Sequence, residues 1–208
     1  DHRFDADNKK SMSSSRPIVS VVTPFYNSDQ WLAECIESVL AQTYSDWEYI
    51  LVNNRSGDKS LEIASRYAEK DKRIKLVTND EFVGQIENYN RAMSLISADS
   101  VYVKMIQADD WMFPNCLERM VDLAERHPQV GVVGAYQLSE SFISCQGLAY
   151  HTPVVPGREV VRMYLFDNSK FLFGQPSALM YRADLVRARR PFYDLHSRQE
   201  DTDAAIDL

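Results

Sequence analysis

From Pro17 onward the spacing of apolar residues switches repeatedly between a strand period and a helix period. PIVSVVTP is a short β-branched run closed by Pro24, which reads as a strand. In WLAECIESVLAQ, Trp31, Leu32, Cys35, Ile36, Val39 and Leu40 recur at spacings of three and four, one apolar face of a helix. WEYILVNN gives a second strand, and LEIASRYAEK a second helix with Asp58 or Ser60 available as its N-cap. IKLVTN follows as a strand, then GQIENYNRAMSLI as a helix with Ile86, Tyr89, Met93 and Ile96 on one side. VYVKMI is a fourth strand. Pro114 suits the first turn of a fourth helix, whose apolar face is Leu117, Met120, Val121 and Ala124 before Pro128 ends it. VGVVGAY is a fifth strand.

Five strands alternating with four helices predict an α/β fold, a mainly parallel sheet with helices on both faces. In such sheets ligands sit beyond the carboxyl ends of the strands. Four loops are then candidates: Thr23 to Ser28, Asn53 to Asp58, Asn79 to Gln85 and Gln107 to Phe113. The alternation stops after Tyr136. Residues 139 to 180 hold short apolar runs with scattered Gly and Pro, the pattern of a partner-binding insertion. The expected organisation is a leader over 1–16 (a disordered segment or tag remnant), a βαβ region over 17–136 and a smaller region over 137–208. AAIDL reads as a helix that starts and is cut short, so a truncated C-terminus is expected.

Composition narrows the function classes. The 208 residues are 45% hydrophobic and 11% aromatic, enough for one buried core. Net charge is −7 with a pI near 5.1, and the longest basic cluster is Arg187 to Arg190. A nucleic-acid surface, which needs a positive stripe, is not expected. Cys35, Cys116 and Cys145 are odd in number and lack metal-ligand spacing, which predicts free thiols in a reducing, cytoplasmic compartment. No apolar run reaches the roughly 20 residues a membrane span needs. The first 16 residues lack the apolar core of a signal peptide.

The chemistry lies at the strand ends. Asp109 and Asp110 follow the fourth strand, and adjacent carboxylates repel unless a cation sits among them. A hard divalent ion completed by substrate phosphates would resolve that; an acid near the start of a helix is the other reading. Tyr26 offers a ring and a hydroxyl behind Pro24, or is an ordinary half-buried turn tyrosine. Asn54 can hydrogen-bond a base edge through either end of its amide, or is simply a loop asparagine.

In order and spacing, VSVVTPFYN, WLAECIESVLAQTYSDWEYILVNNRSGDKSLEIA, VGQIENYNRA and QADDWMFP resemble the family 2 glycosyltransferases. The likeness covers about residues 17 to 135. It implies a GT-A fold, a nucleoside-diphosphate sugar as donor, and a saccharide or lipid-linked saccharide as acceptor. It also implies an inverting, metal-assisted hexosyl transfer, for example in surface polysaccharide synthesis. By position it puts Thr23, Pro24 and Tyr26 at the nucleotide base, Asn54 where an aspartate usually meets the base, and Gln85 in the helix that follows. Asp109 corresponds to the second aspartate of the DxD motif and would hold Mn²⁺ or Mg²⁺, with Gln107 and Ala108 in the preceding motif positions and Asp110 as helper or helix cap.

Gln107 stands where the family's first DxD aspartate would be, and VNNRS stands for the frequent VDDGS. A cation would therefore have one anionic neighbour fewer, and a uridine preference is implied less strongly. The family's base is a carboxylate late in the domain, commonly in an ED pair. Ser197 and Glu200 have capping-box spacing, which leaves Asp201 as the candidate base. His196 is a further possible metal or diphosphate contact. Gln175 and Ser177, in the stretch 171–185, could reach an acceptor sugar or belong to a plain loop and strand. Two other readings stand beside the transferase. One is a nucleotide-sugar-binding domain without turnover; the other is a sugar nucleotidyltransferase, which would bring a Gly-rich loop absent after Val22.

Overall fold

A computed structural model describes residues 18–139, 142–144, 154–166, 174–197 and 200–208. The expected leader, Cys145 and the start of the 171–185 stretch lie outside the described residues. Four strands run parallel in the order β3 (Ile74–Thr78), β2 (Trp47–Asn53), β1 (Ile18–Phe25), β4 (Ser100–Met105). Each returns through a helix: α1 (Leu32–Leu40), α2 (Ser60–Lys70) and α3 (Gln85–Ser94), with α4 (Cys116–Arg126) after β4. This is the expected α/β layering.

Alternation along each strand sorts side chains to two cores, because successive Cβ atoms point to opposite faces. Val19, Val21, Tyr49, Leu51 and Tyr102 pack with α1, α2 and α4. Val22, Ile50, Val52, Val103 and Met105 pack with α3, with α6 (Ala183–Ala188) and with α7 (Glu200–Asp207). Strands buried on both faces explain why VSVV and YILV read as continuous apolar runs. Trp31 departs from the helix-face pattern, since it is 46% exposed just before α1.

The far edge of the sheet differs from a simple βαβ continuation. The predicted fifth strand, β5 (Val132–Gly134), does not touch β4. A four-residue strand, β8 (Leu179–Arg182), lies between them and is antiparallel to both. The sheet therefore crosses the expected boundary at residue 136. The insertion contains a hairpin, β6 (Gln137–Ser139) with β7 (Phe142–Ser144), a helix α5 (Gly157–Phe166), and a 3-10 turn at Pro176–Ala178.

Helix starts also differ from expectation. Asn115 is the N-cap of α4, so Pro114 precedes the cap and is outside the first turn. The donor shortage there is met from α1 instead. Gln42 Oε1 accepts from Leu117 N at 3.0 Å, and its Nε2 donates to Phe113 O at 2.9 Å. Thr43 N donates to Pro114 O at 2.8 Å. The QT end of ESVLAQTY thus pins the segment that follows the two aspartates. At α2, Asp58 Oδ1 accepts from Ser60 N at 2.9 Å, while the Ser60 hydroxyl accepts from Ser28 N at 2.7 Å. α7 begins at Glu200, and the Ser197 hydroxyl before it donates to Asp203.

Candidate functional site

The loops after β1, β2, β3 and β4 enclose a pocket of about 390 Å³ at the carboxyl ends of the parallel strands. Pro24, Tyr26, Asn54, Gln85, Gln107, Ala108 and Asp109, all expected site residues, line it. Phe82, Trp31, Asn88 and Tyr89 line it as well and carried no such expectation.

Cross-links between the loops give the pocket its shape. Asn27, with a positive φ of 47°, accepts from Gly57 N at 2.8 Å through Oδ1, and its own N donates to Ser56 Oγ at 3.0 Å. Arg55, at φ 60°, donates to Asp80 O at 2.9 Å. Left-handed backbone at a non-glycine residue is costly and persists where neighbours fix it, as both loops do here. The Tyr26 and Phe82 rings meet at 4.9 Å and form an aromatic wall, with Tyr26 48% exposed. Such a wall can stack a flat base.

Asn54 lines the pocket and is also tied into its wall. It is 3% exposed and its amide makes three hydrogen bonds. Nδ2 donates to Val83 O at 2.8 Å, and Oδ1 accepts from Val83 N and from Asn79 Nδ2, both at 3.0 Å. Asn79 Nδ2 also donates to Asn88 Oδ1 at 2.9 Å. The side chain clamps the β3–α3 loop, and with it Phe82, onto the pocket, and one amide N–H remains beyond these bonds. Thr23 lies beneath the pocket. It is wholly buried, its hydroxyl donating to Ile106 O at 2.9 Å and paired with Tyr49 at 2.9 Å. Cys35 sits beside them as a buried free thiol, its pKa raised to about 12 chiefly by burial.

The β4 end divides its two carboxylates. Asp109 is exposed and lines the pocket. Asp110 turns inward, where burial raises its pKa first and Asp109 raises it further, against the Ser177 hydroxyl and Lys104. Its Oδ2 is buried without a hydrogen-bond partner. Asp110 is also not the cap of α4. Lys104, fully buried on β4, donates to Met105 O at 3.0 Å and to Ser177 O. Desolvation pulls its pKa down to about 8. Ser177 completes the arrangement by accepting from Gln107 N at 2.9 Å. The turn at Pro176–Ala178 and the aspartate loop are therefore one unit.

Gln107 and Gln85 share a partner. Each donates Nε2 to the Tyr89 hydroxyl at 2.7 Å. Their carbonyl oxygens are left to accept from a ligand or to face a cation. No lysine or arginine lines the pocket, and Asp109 is its one carboxylate, among the described residues. Among those residues there is also no group of three His, Cys, Asp or Glu able to hold a metal. One carboxylate with a neighbouring amide oxygen does fit Mg²⁺ or Mn²⁺, which keep most of their shell for water and substrate phosphates.

Asp201, the candidate base, lies on α7, accepts from Thr202 N at 2.7 Å and is not among the residues lining the pocket. It faces the buried pair Tyr181 and Tyr193, whose hydroxyls burial and then neighbouring charges, Asp201 among them, hold protonated well above the usual range. His196 is exposed, with its backbone N bonded to Asp194 Oδ1 at 2.9 Å.

Parallel strands, strand-end loops over a polar pocket and an aspartate at the β4 terminus define a GT-A nucleotide-sugar fold, and solved structures bear out the fold. The S. aureus TarS 1–349 structure in complex with UDP matches with TM-score 0.72 at 21% identity, covering 89% of this chain and 53% of that one. The mannosyltransferase PcManGT from Pyrobaculum calidifontis, in complex with GDP-Man and Mn²⁺, matches with TM-score 0.63 at 20% identity, covering 92% of this chain and 51% of that one. The family model for Glycosyl transferase family 2 matches residues 20–189, and the chain belongs to that family. Among its relatives is the glycosyltransferase EpsE of Bacillus subtilis (strain 168), 33% identical over 193 residues, 91% of this chain and 66% of that protein. EpsJ of the same organism is 36% identical over 118 residues, 57% of this chain and 33% of EpsJ. The chain thus spans less than two thirds of either relative. No described helix is long and apolar enough to cross a membrane.

Proposed function

We propose that the chain transfers a hexosyl or related sugar from a nucleoside-diphosphate sugar to a hydroxyl acceptor, with inversion and with a divalent cation. The observation that carries this is the charge of the pocket: one outward carboxylate, Asp109, and no cationic lining residue among those described. A diphosphate entering such a pocket meets net negative charge and is held only if an ion accompanies it.

In this reading the Tyr26–Phe82 wall takes the base, and Asp109 with the Gln107 amide oxygen would hold the cation. When bound, Mn²⁺ or Mg²⁺ neutralises the charge that builds on the departing nucleoside diphosphate. The Asp201 carboxylate takes the proton of the acceptor hydroxyl as that oxygen bonds to the anomeric carbon, and the bond from that carbon to the diphosphate oxygen breaks on the opposite face. Residues 137–208 would supply the acceptor side. A saccharide or lipid-linked saccharide acceptor, surface polysaccharide synthesis and a cytoplasmic location complete the proposal, supported by family membership. The experiment is nucleoside diphosphate release from a panel of donor sugars with Mn²⁺ or Mg²⁺ and a competent acceptor, with and without EDTA. Binding without release under those conditions favours a nucleotide-sugar-binding domain instead.

A further inference from the structure

A second and larger hollow, about 550 Å³, runs along the solvent side of α3 and is closed by the segment that follows α6. It shares no lining residue with the donor pocket. Its walls carry Arg91 from α3 and Arg187, Arg189 and Arg190 from the chain's one basic run. In a protein of net charge −7, four arginines around one hollow are a local reversal of sign.

Two of the four are committed to the fold. Arg187 donates to the carbonyls of Ser97, Ala98 and Ser100, and Arg189 pairs with Asp207 at 2.8 Å. Arg91 and Arg190 are exposed and, among the described residues, have no carboxylate within ion-pair distance; Arg190 Nε donates to Arg187 O at 3.2 Å, which leaves its two terminal nitrogens outward. The single acid lining the hollow, Glu87, is turned to the start of α3, where it accepts from Gly84 N at 2.8 Å. The floor beneath the arginines is apolar: Met93, Val186 and Phe192 are buried there, with Ile96 half-buried beside them.

We infer that this groove docks the protein on an anionic lipid bilayer, with Arg91 and Arg190 meeting lipid phosphates. The apolar floor holds the arginine stems and leaves their charged heads outward, at the level of head-group phosphates. A lone soluble phosphate is a poor fit to so wide and open a hollow. A bilayer offers many phosphates at once, and each arginine near an anionic surface adds about fivefold to partition. The same helix lines the donor pocket with Gln85, Asn88 and Tyr89. Docking here would hold that pocket within about one α3 length, roughly 15 Å, of the bilayer.

The test is co-flotation with vesicles of phosphatidylglycerol in phosphatidylcholine against phosphatidylcholine alone. Binding to the first and not the second is expected, weakening as salt rises. Arg91→Gln and Arg190→Gln should each lower partition about fivefold, and together roughly 25-fold, with unchanged circular dichroism. Arg126→Gln, on α4 across the sheet, should leave it unchanged. Failure to float with the anionic vesicles overturns the inference, as does an equal loss in Arg126→Gln or none in the double variant. Displacement from vesicles by millimolar inorganic phosphate would make this a soluble-anion site and overturn the lipid assignment.

Discussion

Asn54→Asp introduces the carboxylate that the family resemblance implies after β2, and this structure predicts that the change does harm. Asn54 Nδ2 donates to Val83 O at 2.8 Å. A carboxylate oxygen in its place would face that carbonyl with no proton between them. The lost bond and the stranded acceptor together cost about 3 kcal/mol, while charge assistance to the two retained donors, Val83 N and Asn79 Nδ2, returns about 1 kcal/mol. The net penalty is about 2 kcal/mol at neutral pH, falling on the loop that carries Phe82. Burial and the opposing carbonyl raise the new carboxyl's pKa above its unfolded value of about 3.9. The proton-linked part of stability is then complete below pH ~4 and lost as pH rises through the raised folded value. Urea denaturation of both proteins across that range, with calorimetric titration of donor nucleotide, measures both effects. The variant should come closest to the parent in acid, and should bind nucleotide more weakly at pH 7. Equal stability at neutral pH, or tighter nucleotide binding, would refute the clamp.

Two further outcomes follow from the buried groups around the site. Lys104 is charged below its folded pKa of about 8 and must be buried as a cation there; its ordinary value is 10.5. The folded state therefore loses its proton first, and this group adds stability as pH rises between those values, about 3 kcal/mol at roughly 1.4 kcal/mol per unit. Lys104→Met should lack that rise when its denaturation profile is compared with the parent's, and a parallel profile would contradict the assignment. Asp201→Asn should lower sugar transfer by at least 10²-fold, within the usual worth of a general base, while leaving donor affinity within about twofold; transfer kinetics at saturating acceptor decide it.

How far residue types alone carried the reading depended on whether a role was local or tertiary. The βαβ order was legible because VSVV, YILV and the Leu117–Ala124 face hold their periods over whole elements. β8 was not: LMYR is four residues long, and its place between β4 and β5 follows from pairing with distant chain. Asp109, Tyr26 and Gln85 line the pocket, where the rule for strand ends sends attention. Asn54 and Thr23 were assigned to the ligand by the family resemblance, and the bonds each makes across the fold were not legible. Val83 and Ile106, their partners, are 29 and 83 residues away. Tyr89 was hidden in the opposite way. Its spacing puts it on the apolar face of α3, and only the fold brings Gln85 and Gln107 to its hydroxyl. Lys104 likewise sits unmarked inside VYVKM, where a lysine ordinarily argues for an exposed position.

Asp109 binds the donor through a cation in the proposed reaction, although Gln107 stands where the family resemblance implies a second carboxylate. The most direct measurement is nucleoside diphosphate release from the preferred donor with Mn²⁺ and acceptor, for the parent protein, for Asp109→Asn and for the parent in EDTA. The account predicts release by the parent that EDTA abolishes and that Asp109→Asn lowers by at least 10²-fold. Undiminished release in EDTA, or by Asp109→Asn, would contradict it.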